Sequence, residues 1–279
     1  IIVSAGEWAA NAGVLEVTVT NNAVSAFNGK LVKLDDNYPA VPKTHIVGAR
    51  IWLYNYAMAG EMNKVVGHTL VDLDGERANV RTKETNLGNL VADIMKAAAK
   101  TEIAVTNGGG IRATIEAGDI TMLDMKTVFP FGNEVAVLDV TGAELLEALE
   151  AATSSTPKAI GAFPQVSGIV FTVDTSVPYE QGEQYPDSTY FAPAKPGSRV
   201  TVESVGGEPF SLEKIYTIAT NDFTAAGGDT YYAFRYPNAT SGYKTGVALE
   251  DALVRYIAEV LGGVVGGQYA EPQGRITVK

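Results

Sequence analysis

Apolar and polar side chains alternate over Val14-Leu15-Glu16-Val17-Thr18-Val19-Thr20, the two-residue period that sets one face of a strand against a core. Asn21-Asn22 then reads as a turn and Gly29-Lys30-Leu31-Val32-Lys33-Leu34 as a second strand, a β unit too small to stand as a domain. From Pro42 to about Lys64 the pattern changes: Ile46, Val47, Ile51, Trp52, Tyr54, Ala57 and Met58 suit a helix, with Gly60 weakening its end. This predicts a helix that connects two bodies. A second helix is marked by Thr85-Asn86 as its cap and by Leu87, Leu90, Val91, Ile94 and Met95 on one face.

The remaining strand signals lead into loops. Ile103-Ala104-Val105 runs towards Gly108-Gly109-Gly110, and Tyr216 to Thr220 runs directly into Asn221. Val135 to Val140 predicts another strand, and Thr141-Gly142-Ala143-Glu144 is a capping box that opens a helix through Glu150. Gly168 to Asp174, Arg199 to Val205 and Arg275 to Val278 read as strands, and Val247 to Leu261 as an amphipathic helix. The Pro- and Gly-containing stretch 177–198 reads as a long surface loop. Helices and strands are interspersed without a strict βαβ repeat. The expected fold is α/β (mixed α+β), a mixed sheet flanked by helices, over residues 65–279.

Composition narrows the function classes. The chain has 279 residues, enough for a sizeable core, and a net charge of −11 that argues against general binding to nucleic acid or an anionic membrane. Any phosphate site must therefore be local. No run approaches the ~18 apolar residues of a membrane span, so no membrane insertion is expected in this segment. The absence of cysteine excludes disulfides and thiolate metal sites and favours a bacterial exported protein. The start, Ile1-Ile2-Val3-Ser4-Ala5-Gly6, has neither an initiator Met nor a basic, apolar signal sequence, and reads as a processed product or an excised segment.

Three short runs carry candidate chemistry: TNGGGIR at 106–112, FPFGN at 129–133 and NDFTAAGGD at 221–229. Each sets an aromatic ring, a guanidinium or a carboxylate beside glycine backbone, which suits a flat, polar, anionic ligand such as a nucleotide. Asn107 and Arg112 flank the triple glycine at a strand end, where open α/β sheets bind ligands. Gly108, Gly110 and Ala113 match the G-x-G-x-x-A dinucleotide pattern, but Thr114 to Asp119 lacks the helix such a site requires. Phe131, between Pro130 and Gly132, either anchors a loop or stacks on a base; Phe129 is the better anchor. Phe223 is the second candidate ring. Asp229 either accepts ribose hydroxyls or caps the Gly227-Gly228 bend. Arg77 and Arg81, four apart, are either solvated or join Arg112 in a cationic cluster. His45 and His68 belong to no paired metal array, and Ser167 lies in no G-x-S-x-G elbow.

The ordered set Arg77/Arg81, NLGNLVADIM, TNGGGIR, FPFGN, TGAELLEALE, FPQVSGIVF and NDFTAAGGD resembles the C-terminal domain of the 5′-nucleotidase and UDP-sugar hydrolase family, over about residues 65–279. The resemblance implies a domain that recognises nucleotides, beside an N-terminal metallophosphoesterase domain carrying two divalent metals, zinc or manganese. It implies that Phe131 and Phe223 stack on the base and that Asp229 binds ribose. Arg77, Arg81 and Arg112 would hold phosphate or sugar oxygens, and Asn107, Asn133 and the Gly168 backbone would complete the pocket. AGEWAANAGVLEVTV is similar to the last strands of the family's metallophosphatase domain, which assigns residues 1–40 to that domain and 41–64 to an interdomain hinge helix. The metal-ligating D-x-H, G-N-H-E and H-x-H segments are missing from this sequence, so no cofactor or catalytic residue is expected in it. The resulting expectation is the recognition domain of an exported bacterial 5′-nucleotidase, inactive alone, whose partners are a nucleotide or nucleoside and the catalytic domain of the same parent. The rival is a non-catalytic binding or adhesion module with a vestigial pocket.

Overall fold

Asn21 and Asn22 both take positive φ, 53° and 60°. Two successive left-handed residues make the turn whose twist matches paired strands. They close β1 (Asn11–Thr20) on β2 (Ala23–Lys33) as an antiparallel hairpin, paired from Thr20↔Ala23 to Asn11↔Lys33 with one register shift between Thr18 and Val19. Helix α1 (Ile46–Met62) starts four residues later than the pattern predicts, because His45 N–H first closes a turn on Pro42 O. The His45 ring accepts from Val47 N–H at 3.2 Å.

The computed structural model describes residues 4–5, 10–34, 41–235 and 242–279. Most of the opening Ile1-Ile2-Val3-Ser4-Ala5-Gly6 and residues 6–9 of the strand-like AGEWAANAGVLEVTV segment lie outside the described residues. The chain divides into two compact units after Gly60.

The second unit runs β3 (Val65–Thr69), α2 (Arg77–Val80), α3 (Asn86–Ala99), β4 (Ile103–Asn107), β5 (Gly118–Thr121), α4 (Met122–Val128), β6 (Glu134–Thr141) and α5 (Gly142–Ala152). It continues with β7 (Pro164–Ser167), β8 (Ile169–Val173), β9 (Gln181–Gln184), β10 (Phe191–Pro193), β11 (Val200–Val205) and β12 (Glu208–Pro209). The last elements are β13 (Ile215–Asn221), α6 (Asp222–Ala225), β14 (Tyr243–Ala248), α7 (Leu249–Glu259), β15 (Val264–Val265) and β16 (Ile276–Val278).

The central sheet has the order β14-β6-β13-β4-β7. Apart from the largely exposed edge strand β14, its strands are buried on both faces, so alternate residues feed two cores. Ile103, Val105, Leu138, Val140 and Ile218 pack with α5 and the sheet β12-β11-β8-β16, through Leu149, Phe171 and Val202. Ala104, Val135 and Ala219 face the other way, onto Leu90 and Ile94 of α3 and Leu253 and Ile257 of α7. The small sheet β15-β3-β5 contributes Val265 and Ile120 to this helical side. This is the mixed α+β architecture that the sequence predicts.

Local signals explain the helix ends. Thr85 Oγ1 accepts from Gly88 N–H at 3.0 Å to open α3, and Lys100, at φ 55°, closes it by donating to Ala97 O. Thr141 and Glu144 form the reciprocal capping box of α5. The stretch 177–198 departs from a plain loop: β9 and β10 pair antiparallel within it. Gln181-Gly182-Glu183-Gln184 has no apolar alternation to announce a strand. Ser167 Oγ donates to Asp93 at 2.6 Å, and Asp93 also receives Tyr269 OH at 2.9 Å and Arg275 Nη2 at 2.8 Å. That places Ser167 in a structural polar network.

Candidate functional site

The site forms where β4 and β13, which pair in parallel, deliver their C-terminal ends side by side. Asn107 ends β4. The three glycines that follow make a single 3₁₀ turn, held by Gly108 N–H to Phe163 O and Gly109 N–H to Gly161 O, both 2.7 Å. No α-helix begins there, so the dinucleotide pattern lacks the helix N-terminus that would bind a pyrophosphate. Beyond the turn, Arg112 N–H donates to Val128 O at 3.1 Å and its Nη1 to Gly109 O at 3.2 Å. The guanidinium lies 5.5 Å from the centre of the Phe131 ring, a cation–π contact that leaves the ring 59% exposed. Phe129 is buried and anchors this loop. Asn133 O, four residues on, accepts from Leu249 N–H at the start of α7.

Asn221 ends β13 and caps α6, its Oδ1 accepting from Thr224 N–H at 2.9 Å. Its amide nitrogen donates to Asn107 Oδ1 at 2.9 Å and to Thr106 Oγ1 at 3.1 Å. Asn107 in turn donates through Nδ2 to Asp229 Oδ2 at 3.0 Å. A line of buried amides thus fixes the carboxylate. Burial pushes the Asp229 carboxyl above its ordinary value, while the Asn107 hydrogen bond and the Arg81 charge pull it down. Phe223 stands on α6, 45% exposed.

These groups enclose a cavity of about 300 Å³. Arg81, Arg112, Asn107, Asn133 and Asp229 supply its polar wall, and Phe131 and Phe223 its rings. Gly109, Gly110 and Gly161 line it with backbone. Two cations against one carboxylate favour an anionic ligand, the backbone offers close approach, and exposed rings offer stacking faces.

Two of the nine candidate residues lie elsewhere. Arg77 is exposed on the first turn of α2 and does not line the cavity. Gly168 joins β7 to β8 at the start of β4, the opposite end from Asn107. It has φ 73°, its carbonyl accepts from Gly206 N–H, and a Cβ there would stand 2.6 Å from Glu102 O. Its glycine is required by the turn. Sequence reasoning missed Gly161, which stands apart from the three glycine-bearing runs, and Asn221, whose cap position follows β13 directly.

Among the described residues no group of three or more His, Asp or Glu side chains is placed to hold a metal ion. His68 Nδ1 instead meets Asp119 Oδ1 at 3.1 Å, on an exposed surface. This chain's described residues do not fit a dimetal centre. No described helix is long and apolar enough to cross a membrane.

A sequence model described as 5′-nucleotidase, C-terminal domain, matches residues 65–236, and the chain belongs to that family. It is 45% identical over 181 residues to the trifunctional nucleotide phosphoesterase protein YfkN of Bacillus subtilis (strain 168), covering 62% of this chain and 11% of that protein. It is 32% identical over 212 residues to Protein UshA of Escherichia coli (strain K12), covering 76% of this chain and 34% of that protein. The crystal structure of a 5′-nucleotidase precursor from Thermus thermophilus superposes with a TM-score of 0.71 at 34% identity, covering 99% of this chain and 51% of that one. The chain thus spans about a third or less of these two curated relatives.

Proposed function

We propose that residues 65–279 form the nucleotide-recognition domain of an exported 5′-nucleotidase-type phosphoesterase, whose parent releases phosphate from nucleoside 5′-monophosphates or related esters. The observation that carries this reading is the convergence of Arg81, Asn107, Arg112, Phe131, Phe223 and Asp229 on one cavity. In the reading, Phe131 and Phe223 hold the base between their faces, and Asp229 accepts the ribose hydroxyl hydrogens. Arg81 and Arg112 hold phosphate or sugar oxygens, Asn133 joins the polar wall, and Asn107 orients Asp229. These residues bind and orient; none is assigned to generating the attacking hydroxide. That step belongs to a metallophosphoesterase domain of the parent, where two divalent metals would lower the pKa of bound water. The same reading takes residues 1–40 as the closing strands of that domain and 41–64, containing α1, as the hinge segment.

Calorimetric titration with adenosine and AMP, without metal and then with zinc or manganese, tests it. Metal-independent binding is expected, with Arg112→Ala weakening AMP more than adenosine. Absent heat and an unmoved melting temperature with both ligands would remove the nucleotide assignment, and metal-dependent phosphatase activity of the purified chain would remove the claim that catalysis lies elsewhere.

A further inference from the structure

Strand β7 pairs with β4 so that Gln165 stands opposite Thr106 and Pro164 opposite Asn107. The segment from Ile160 to Gln165 therefore runs beside the cavity, and the loops that line the cavity are bonded to it one after another. Ile160 N–H donates to Arg81 O at 3.1 Å, Gly161 O and Phe163 O receive the glycine turn, and Ala162 O receives Tyr231 OH at 2.7 Å, two residues beyond Asp229. The turn that carries Arg81 is attached further by a side chain.

That side chain is Gln165, which is fully buried. Its Nε2 donates to Val80 O at 3.1 Å and to Lys83 O at 2.8 Å, and its Oε1 accepts from Thr85 N–H at 3.2 Å. Two carbonyls call for the amide nitrogen and one N–H for the oxygen, so the network fixes the orientation of the group. One amide thus spans the turn from Val80 to Thr85, in which Arg81 is the residue that reaches the cavity. We propose that Gln165 is a positioning residue: it fixes where Arg81 stands and with it the affinity for the phosphate of a nucleotide, a role that rests on the nucleotide reading above. A guanidinium binds phosphate strongly only in register, because its donors form a rigid fork. Its backbone is best fixed before the ligand arrives, since ordering on binding subtracts from affinity.

Two features separate this arrangement from ordinary core filling. Helix α3 approaches the amide so closely that a Cβ on Gly88 would stand 2.1 Å from Gln165 Oε1 and 2.4 Å from its Cδ. Ala is ordinarily the better helix residue, so a glycine inside α3 forgoes helix stability and leaves room for the amide. The same turn also has a second attachment, independent of Gln165. Glu84, buried, receives Asn89 Nδ2 at 2.8 Å, Gln273 N–H at 3.0 Å and Ile276 N–H at 3.0 Å. The turn keeps that hold on the C-terminal segment when Gln165 is changed, so the change falls on the placement of Arg81 rather than on the fold.

The test is calorimetric titration of the full chain with AMP and with adenosine, beside a melting curve, for Gln165→Met, Gly88→Ala, Ser167→Ala and Arg81→Ala. Gln165→Met keeps the length of the side chain and removes its hydrogen bonds. AMP affinity is expected to fall about tenfold, the loss of one charge-assisted contact, with adenosine affinity within about twofold of the unsubstituted chain. Gly88→Ala displaces the amide while leaving it in the chain; it should reproduce this shift in selectivity, and it decides the matter if Gln165→Met does not fold. Ser167→Ala, on the same strand but bonded to Asp93, should lower the melting temperature and leave the ratio of AMP to adenosine affinity unchanged. In the double variant Gln165→Met/Arg81→Ala, AMP should bind no more weakly than in Arg81→Ala alone, because the amide acts through that one guanidinium. Equal weakening of AMP and adenosine, unchanged AMP affinity in both Gln165→Met and Gly88→Ala, or additive losses in the double variant would overturn the proposal. If the unsubstituted chain binds neither ligand, the nucleotide reading falls and this proposal with it; if it binds both and the variants keep its selectivity, this proposal falls alone.

Discussion

Phe223 is held by what is missing beneath it. A Cβ on Gly228 would stand 2.6 Å from three atoms of the Phe223 ring, so only a glycine lets the ring rest there. Gly228→Ala should displace the ring and weaken adenosine binding with little change in stability, read by calorimetry beside a melting curve. Phe223→Ala and Phe131→Ala should each lose about 1–3 kcal/mol of stacking, roughly 5- to 150-fold in affinity. On the proposed reading, Asp229 sets the pH dependence of nucleoside binding. Its folded value is raised, so the acceptor carboxylate is lost, as pH falls, at a higher pH than an unburied Asp would show. Adenosine affinity should therefore fall on acidification from a point above 3.8, and Asp229→Asn should flatten the curve. For stability the sign is opposite: the folded state holds the proton more tightly, so stability declines as pH rises between the unfolded and folded values. The residue types that carry this chemistry stand out in the sequence because rings and charges beside glycines are conspicuous. Gly168 enters the candidate pocket only through the family resemblance: a glycine that serves a turn and one that serves a ligand read alike until the strand pairing places them at opposite ends of β4.

Elements divide by where their information resides. The ends of α3 and α5 are readable in advance because Thr85 and the Thr141–Glu144 box act over three residues, within the helix they start. Thr141→Ala should cost about 1 kcal/mol, measured by urea denaturation, and leave ligand affinity intact. Asn221→Ala should do the reverse in emphasis. It removes the α6 cap and the support of Asn107 together, so adenosine affinity should drop further than the stability loss accounts for. The short strands β3, β5, β7 and β15 escape a sequence reading, since two to five residues carry too little period and their pairing partners are distant in the chain. The β9–β10 pair is invisible for another reason: Tyr179, Tyr185 and Phe191 act through contacts with distant segments or a backbone carbonyl, which no local pattern records.

At the scale of the whole molecule, both apolar clusters draw only on residues of the second unit. A chain of residues 61–279 should therefore melt cooperatively and bind adenosine as the full chain does, checked by calorimetry on the two side by side. Within that unit, the parallel pairing of β4 and β13 has a consequence for folding. It joins Asn107 to Asn221 across 114 residues, a closure whose entropic cost must be met before either contact returns anything. The pocket therefore has no partly assembled form: it arises only with the native topology. Ligand occupancy then counts natively folded molecules, and a nucleoside at a hundred times its dissociation constant should deepen the native well by about 2.7 kcal/mol. Adenosine would act on this chain as a pharmacological chaperone, rescuing destabilised variants in proportion to its concentration.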